Sequence, residues 1–263
     1  MTLFQAIILA IIEGITEFLP ISSTGHMIIA SSFMGIATQD FTKLFTVSIQ
    51  LGAILSVVVL YWKRFFNLRD INFYFKLAAA FLPAAVFGFL LHDLIDEMLG
   101  SVLIVGICML LGGVFLLFVD RFFKESSGAD DIEMTYMMAI KIGFFQVISM
   151  IPGVSRSAAT IVGGMTQKLS RRQAAEFSFF LAVPTMLAAT LFKLKDDYHL
   201  INHSNLMLLL VGNVIAFVVA MLAIKSFIRF LTKHGFALFG WYRIFIGGII
   251  LLLLAIGVHL DML

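Results

Sequence analysis

Residues 13–26 read EGITEFLPISSTGH. Two carboxylates, a proline, three consecutive hydroxyls and an imidazole interrupt a stretch that is otherwise apolar, with LFQAIILAII before it and MIIASSFMGI after it. Proline lacks a backbone donor and clashes with the preceding turn, so residues 3–36 read as two short helices around a break at Pro20. A second stretch of this kind, 135–166, is broken at Pro152-Gly153. Each arm is about 15 residues, roughly 22 Å of helix. That is marginal for a hydrocarbon core of about 30 Å, so each segment is expected to form a re-entrant hairpin that enters and leaves on one side.

The rest of the chain supports a bilayer setting. Of 263 residues, 61% are hydrophobic and 13% charged, and 28 are Phe. A soluble domain carries about 25% charged residues. One cysteine, Cys108, excludes an internal disulfide and a multi-cysteine metal cluster. The first apolar run has no basic flank and contains Glu13 and Glu17, so it reads as retained structure and not as a cleaved signal. Six further stretches are long and apolar enough to span, at approximately 44–62, 73–91, 101–119, 174–192, 206–224 and 238–258. The fold expected is an all-α integral membrane protein of six transmembrane helices and two broken re-entrant hairpins.

The order is hairpin and three spans (1–123), a polar linker (124–134, containing KESSGADDIE), then hairpin and three spans (135–263). Pro20 and Pro152 lie 132 residues apart, and the Gly-Gly pairs at 112–113 and 247–248 lie 135 apart. This spacing suggests a duplication, and an odd number of spans inverts the second copy, giving an inverted-topology repeat. Basic residues favour cytoplasmic flanks. Placing 63–76 inside puts Lys63, Arg64, Arg69, Lys76, Arg121, Lys124, Lys168, Arg171, Arg172, Lys225, Arg229 and Lys233 there, against Lys43, Lys193 and Lys195 outside. Both termini are then outside, and the two hairpins enter from opposite faces with their tips near the midplane. The Gly-Gly pairs are candidate close-packing points, within one chain or between two copies of a homodimer.

Glu13 and Glu17 are four residues apart and share a helix face. Ser22, Ser23, Thr24 and His26 follow the first break, while PGVSRSAAT (152–160) supplies Gly153, Ser155, Arg156, Ser157 and Thr160 at the second. Counted from each proline, Ser23 matches Ser155. A charge at the bilayer centre costs roughly 2.5–3.5 kcal/mol even on the lenient scale, so three of them mark a site. Lys141 and Glu176 read as boundary residues, and His92, His199, His203, His234 and His259 as interfacial ones. Arg156 with Gly, Ser and Thr at a helix start makes an anion site, phosphate above all. Carboxylates beside it call for a divalent cation, since Mg²⁺ bridges one or two carboxylates to phosphate oxygens. Ser23 or His26 could attack phosphorus with a carboxylate as base. A phosphorylated lipid is the substrate that needs such chemistry at membrane depth.

These motifs resemble those of the undecaprenyl-diphosphate phosphatases of the bacitracin-resistance type. EGITEFLPISSTGH is similar to that family's acid-rich motif and PGVSRSAAT to its second, with IQLGAIL (49–55) and AEFSFFLAVP (175–184) in support. The resemblance implies hydrolysis of undecaprenyl diphosphate to undecaprenyl phosphate, which recycles the carrier for cell-wall synthesis. It implies a divalent cation, Mg²⁺ or Ca²⁺, held by Glu13 and Glu17. The site is expected to open on the outer face of the bacterial inner membrane. Glu13, Glu17, Ser23 and His26 would be catalytic, with Ser23 the favoured nucleophile, Glu17 its base and His26 in support. Arg156, Ser155, Ser157, Thr160, Gly153 and Thr24 would hold the diphosphate. Partners are this substrate and membrane lipid, with no nucleic acid. The phosphatidic-acid phosphatase type fits poorly, because it needs a histidine six residues after the arginine, where Val162 stands, and an Arg-Pro pair that is absent. A lipid-phosphate transporter or flippase would share the inverted-repeat fold, yet it would have no use for a reactive set of Glu13, Glu17 and Ser23.

Overall fold

The computed structural model describes residues 1–67, 69–123, 132–258 and 260–261, without the side chains of His203 and Ser204. Residues 124–131 of the expected linker, including Lys124, lie outside the described residues, as do His259 and the surroundings of the His203 side chain. Among the described residues all regular structure is helical. In order the elements are α1 (Leu3–Thr16), α2 (Ser23–Phe33), α3 (Asp40–Leu60), α4 (Trp62–Phe65), α5 (Ile71–Leu90) and α6 (His92–Leu99). There follow α7 (Val102–Phe122), α8 (Tyr136–Ile148), α9 (Arg156–Thr166), α10 (Arg171–Asp197), α11 (His203–His234) and α12 (Ala237–Ala255).

Helices α3, α5, α7, α10, α11 and α12 are each long and apolar enough to cross a membrane. Much of their surface faces away from the protein: Phe89 is 84% exposed, and Phe122 and Phe4 each 71%. A water-soluble monomer does not leave so much contiguous apolar surface uncovered. The chain is a multi-pass all-α membrane protein.

Helix starts follow local chemistry. Thr2 and Ser170 open α1 and α10 with capping boxes completed by Gln5 and Gln173. Asp70, Ser101 and Thr135 accept backbone N–H groups at the starts of α5, α7 and α8. The spans overrun the apolar windows, most of all α11, which reaches 32 residues against an expected 206–224. Its last turns, KSFIRFLTKH (225–234), are amphipathic and continue the helix past the apolar stretch.

In lipid, helices associate by close packing and polar contacts more than by apolar burial. The first arm of each broken segment lies on the middle span of the other half, α1 on α11 and α8 on α5. Helix α3 packs on α10 and α11, and α7 pairs closely with α12. A Cβ on Gly113 would fall 2.8 Å from the Gly240 carbonyl oxygen, and one on Gly247 would fall 3.0 Å from that of Gly106. Of the two Gly-Gly pairs, Gly113 and Gly247 therefore close a crossing within the chain. Gly112 meets Arg243, and Gly248 meets nothing within 4 Å.

Both expected breaks are present, between α1 and α2 and between α8 and α9. At each, a serine with positive φ occupies the N-cap position of the following helix, Ser22 at 67° and Ser155 at 76°, and the Ser155 side chain accepts the Ala158 N–H. Non-glycine residues in this region are strained and cluster at functional sites. The register of the two breaks differs from a count off the prolines. Ser155 corresponds to Ser22 and not to Ser23, because two residues separate Pro152 from the capping serine where only Ile21 follows Pro20. Ser23 and Arg156 are thus equivalent, each the first residue of its helix.

Candidate active site

The two breaks meet around a cavity of about 180 Å³ lined by Glu17, Ser22, Ser23 and Thr24 from one and Pro152, Gly153, Ser155 and Arg156 from the other. Gln50 of α3, Leu99 of α6, Ser149 and Met150 complete the wall. A larger cavity of about 460 Å³ lies elsewhere, beside Arg64, Lys76, Glu133 and Glu176. Its charges are matched among themselves and nearby, in Arg64–Asp70, Lys76–Glu133 and Arg172–Glu176. The smaller cavity holds the reactive groups.

Glu17 is its centre. It caps the C-terminus of α1, so the end of the helix aims its carboxylate into the break. Ser23 Oγ donates to Glu17 Oε2 at 2.7 Å. Across the cavity, Arg156 Nη2 and Nε approach Glu17 Oε1 at 3.2 and 3.4 Å, while Nη1 donates to the Ser178 carbonyl at 3.1 Å. The Arg156–Glu17 pair is largely buried, with side chains 12% and 8% exposed. One carboxylate therefore links the hydroxyl of the first break to the guanidinium of the second.

The other expected residues divide into two groups. Ser155, Gly153 and Thr24 line the cavity with Arg156. Ser157 and Thr160 are fully buried behind it. Ser157 Oγ donates to the Leu19 carbonyl at 2.6 Å, tying break to break, and Thr160 Oγ1 bonds the Arg156 carbonyl and Ser178 Oγ at 2.8 and 2.6 Å. Neither lies on the cavity wall: Ser157, next along the turn, points to the first break, and Thr160, one turn deeper on the Arg156 face, is held against α10 by Ser178. Gly153 has φ +91°, and a Cβ there would stand 2.6 Å from the Val105 carbonyl oxygen, so both conformation and space require glycine.

His26 also lies off the cavity wall, one turn into α2. Its Nδ1 faces the Ser22 carbonyl and its Nε2 the Tyr242 hydroxyl, both at 2.8 Å, and the two rings stack with centroids 5.5 Å apart. A carbonyl only accepts, so Nδ1 carries the proton and Nε2 accepts from the tyrosine. Both nitrogens are engaged away from the cavity, whereas Ser23 Oγ stands on its wall with Glu17 as acceptor. Glu13 is 2% exposed, lies against Glu17, and its Oε1 has no hydrogen-bond partner.

That orphaned oxygen bears on the cation. Glu13 and Glu17 offer hard oxygen donors one turn apart, as a Mg²⁺ or Ca²⁺ site needs. Among the described residues no group of three or more His, Cys, Asp or Glu side chains gathers to cage a metal. Two carboxylates with the balance from phosphate oxygens and water is an ordinary Mg²⁺ arrangement, so the donor set fits.

Three residues of the site escaped the sequence reading. Gln50 was visible as a lone amide in an apolar span. Tyr242 and Arg243 gave no local signal beyond an arginine inside an apolar helix. Arg243 is fully buried and donates to backbone carbonyls of both breaks.

A family model described as bacitracin resistance protein BacA matches residues 6–249. A Flavobacterium johnsoniae protein named undecaprenyl-diphosphatase is 62% identical, over 98% of each chain. Proteins of the same name from Bdellovibrio bacteriovorus and Aquifex aeolicus are 55% identical over 100% of each chain, and 46% identical over 94% of this chain and 96% of that one. Two matching motifs, one joint site and similarity along nearly the whole chain agree: the protein belongs to the bacitracin resistance protein BacA family.

Proposed function

We propose that this protein is an undecaprenyl-diphosphatase, releasing inorganic phosphate from undecaprenyl diphosphate and leaving undecaprenyl phosphate. The observation that carries the reading is the line Ser23 Oγ–Glu17–Arg156, which spans the two breaks within 3.4 Å at each step. Nucleophile, base and anion-binding fork stand together, as phosphoryl transfer requires.

Arg156 and the backbone at the start of α9 hold the terminal phosphate, with Ser155, Gly153 and Thr24 around it. Ser23 Oγ attacks its phosphorus and passes its proton to Glu17, which already lies at general-base distance. The bridging P–O bond breaks and undecaprenyl phosphate leaves. Glu17 gives that proton up to the departing phosphate oxygen. As carboxylate again it deprotonates the water that cleaves the phosphoserine, and it returns this second proton to Ser23 Oγ as inorganic phosphate leaves. A divalent cation held by Glu13 and Glu17 would neutralise phosphate charge that the carboxylates otherwise repel. Ser157 and Thr160 brace the second break and do not bind the diphosphate.

The membrane arrangement belongs to the same proposal. The broken segments are re-entrant hairpins, and residues 1–123 and 135–263 are inverted repeats joined by the linker 124–134. The exchange of partners, α1 on α11 and α8 on α5, supports this, as does the equivalence of Ser22 with Ser155. The cavity reaches Leu99 of α6, whose sequence HDLIDEML has no Lys or Arg, which supports an opening on the outer face of the inner membrane. A transporter of this fold would need the hairpins to part, whereas Ser157–Leu19 and Arg156–Glu17 bind them together.

The test is phosphate release from undecaprenyl diphosphate by purified protein with and without EDTA. Release that falls at least about tenfold with EDTA and returns with Mg²⁺ or Ca²⁺ is expected. No release from folded protein would overturn the enzymatic reading, and EDTA-resistant release would overturn the cation assignment.

A further inference from the structure

Among the described residues Arg243 is the largest fully buried side chain, and it stands in neither motif. Its guanidinium donates to the carbonyls of Pro20 (3.3 Å), Gly153 (2.8 Å), Val154 (2.8 Å) and Cys108 (3.1 Å), and Nε reaches that of Met109 (3.4 Å). Among the described residues it has no acidic partner. A buried cation of this kind is a costly way to fill space that an apolar side chain would fill freely.

An apolar residue could not gather carbonyls, however. Proline and glycine free the backbone oxygens at each break, and in a membrane these must find donors within the protein. A planar guanidinium presents five donors in fixed directions. Three of the five acceptors here belong to the breaks: Pro20 comes two residues before the strained Ser22, and Gly153 and Val154 come just before Ser155 and Arg156. The other two anchor the same group to α7. The approach depends on Gly112, since a Cβ there would lie 2.9 Å from Arg243 Cζ.

We propose that Arg243 is the positioning residue of the active site: through its hydrogen bonds to Pro20, Gly153 and Val154 it fixes the register in which Ser23 and Glu17 of one break face Arg156 of the other. It lines none of the polar cavity. Its loss therefore acts on the alignment of attack, where misplacement by about 1 Å can cost on the order of 10²-fold in rate. The inference rests on the phosphatase reading of the site.

Phosphate release by Arg243→Lys, Gly112→Ala and the double variant tests it, with helix content and thermal unfolding midpoint measured alongside. Lysine keeps the charge and loses the fork. Gly112→Ala keeps the arginine and pushes it from its acceptors. Expected are a kcat lower by about 30-fold or more for Arg243→Lys and about tenfold for Gly112→Ala. KM should stay within about threefold for both, and the double variant should be no worse than Arg243→Lys, because the displaced group is already gone. Full kcat in folded Arg243→Lys, or losses that multiply in the double variant, would overturn the inference. If Arg243→Lys does not fold, Gly112→Ala decides alone by the same kcat and KM readings. No release from the unaltered protein in the same lipid would instead overturn the phosphatase reading beneath it.

Discussion

Ser23→Ala is expected to lower kcat for phosphate release from undecaprenyl diphosphate by at least about 10³-fold, with substrate binding retained. The magnitude follows from the role: removing the nucleophile of a covalent mechanism leaves only binding and electrostatic stabilisation. The structure makes the serine dispensable for everything else. Its hydroxyl bonds Glu17 Oε2 and lies on the cavity wall, and Ser22, not Ser23, adopts the strained backbone of the break. Folding should therefore be little changed, which circular dichroism and the unfolding midpoint would verify. A loss of less than about tenfold would show that another group attacks phosphorus.

Arg156→Lys is expected to lower kcat by about 10²–10³-fold, the range seen when one preorganised donor to a developing anion is removed. Lysine preserves the charge, but it cannot fork between Glu17 Oε1 and the Ser178 carbonyl as Arg156 does. Arg156→Ala should be worse on two counts. It removes the anion binder and leaves Glu17 buried without its partner, and breaking one side of a buried pair typically costs about 3–5 kcal/mol. Lysine is thus the variant that separates chemistry from folding. Activity of Arg156→Lys within threefold of the unaltered protein would mean that the guanidinium is a structural tie only.

Much of this was legible in the sequence because the membrane makes polar residues conspicuous. Pro20 and Pro152 announced the breaks, and Glu13, Glu17 and Arg156 stood out as charges where charge is costly. The same prolines misled on register, since the residue count between proline and cap differs by one between the breaks. Ser157 and Thr160 looked like ligands because hydroxyls in a motif look alike in one dimension. Only the helical turn of α9 shows that they face Leu19 and Ser178 and not the cavity. Arg243 was invisible as a member of the site because its partners are carbonyls, which every residue carries, and they come from positions 20, 108, 109, 153 and 154. Long-range backbone recognition leaves no motif to read.

The central claim is that Ser23, freed by the first break and aligned against Arg156 of the second, forms a bond to phosphorus. The most direct measurement is a quenched single-turnover reaction with undecaprenyl diphosphate labelled in its terminal phosphate, followed by peptide mapping under acidic and alkaline conditions. Acid-stable, alkali-labile label is expected on the peptide that carries Ser23. Acid-labile, alkali-stable label on His26 would contradict it and move the chemistry to the imidazole that Tyr242 now holds.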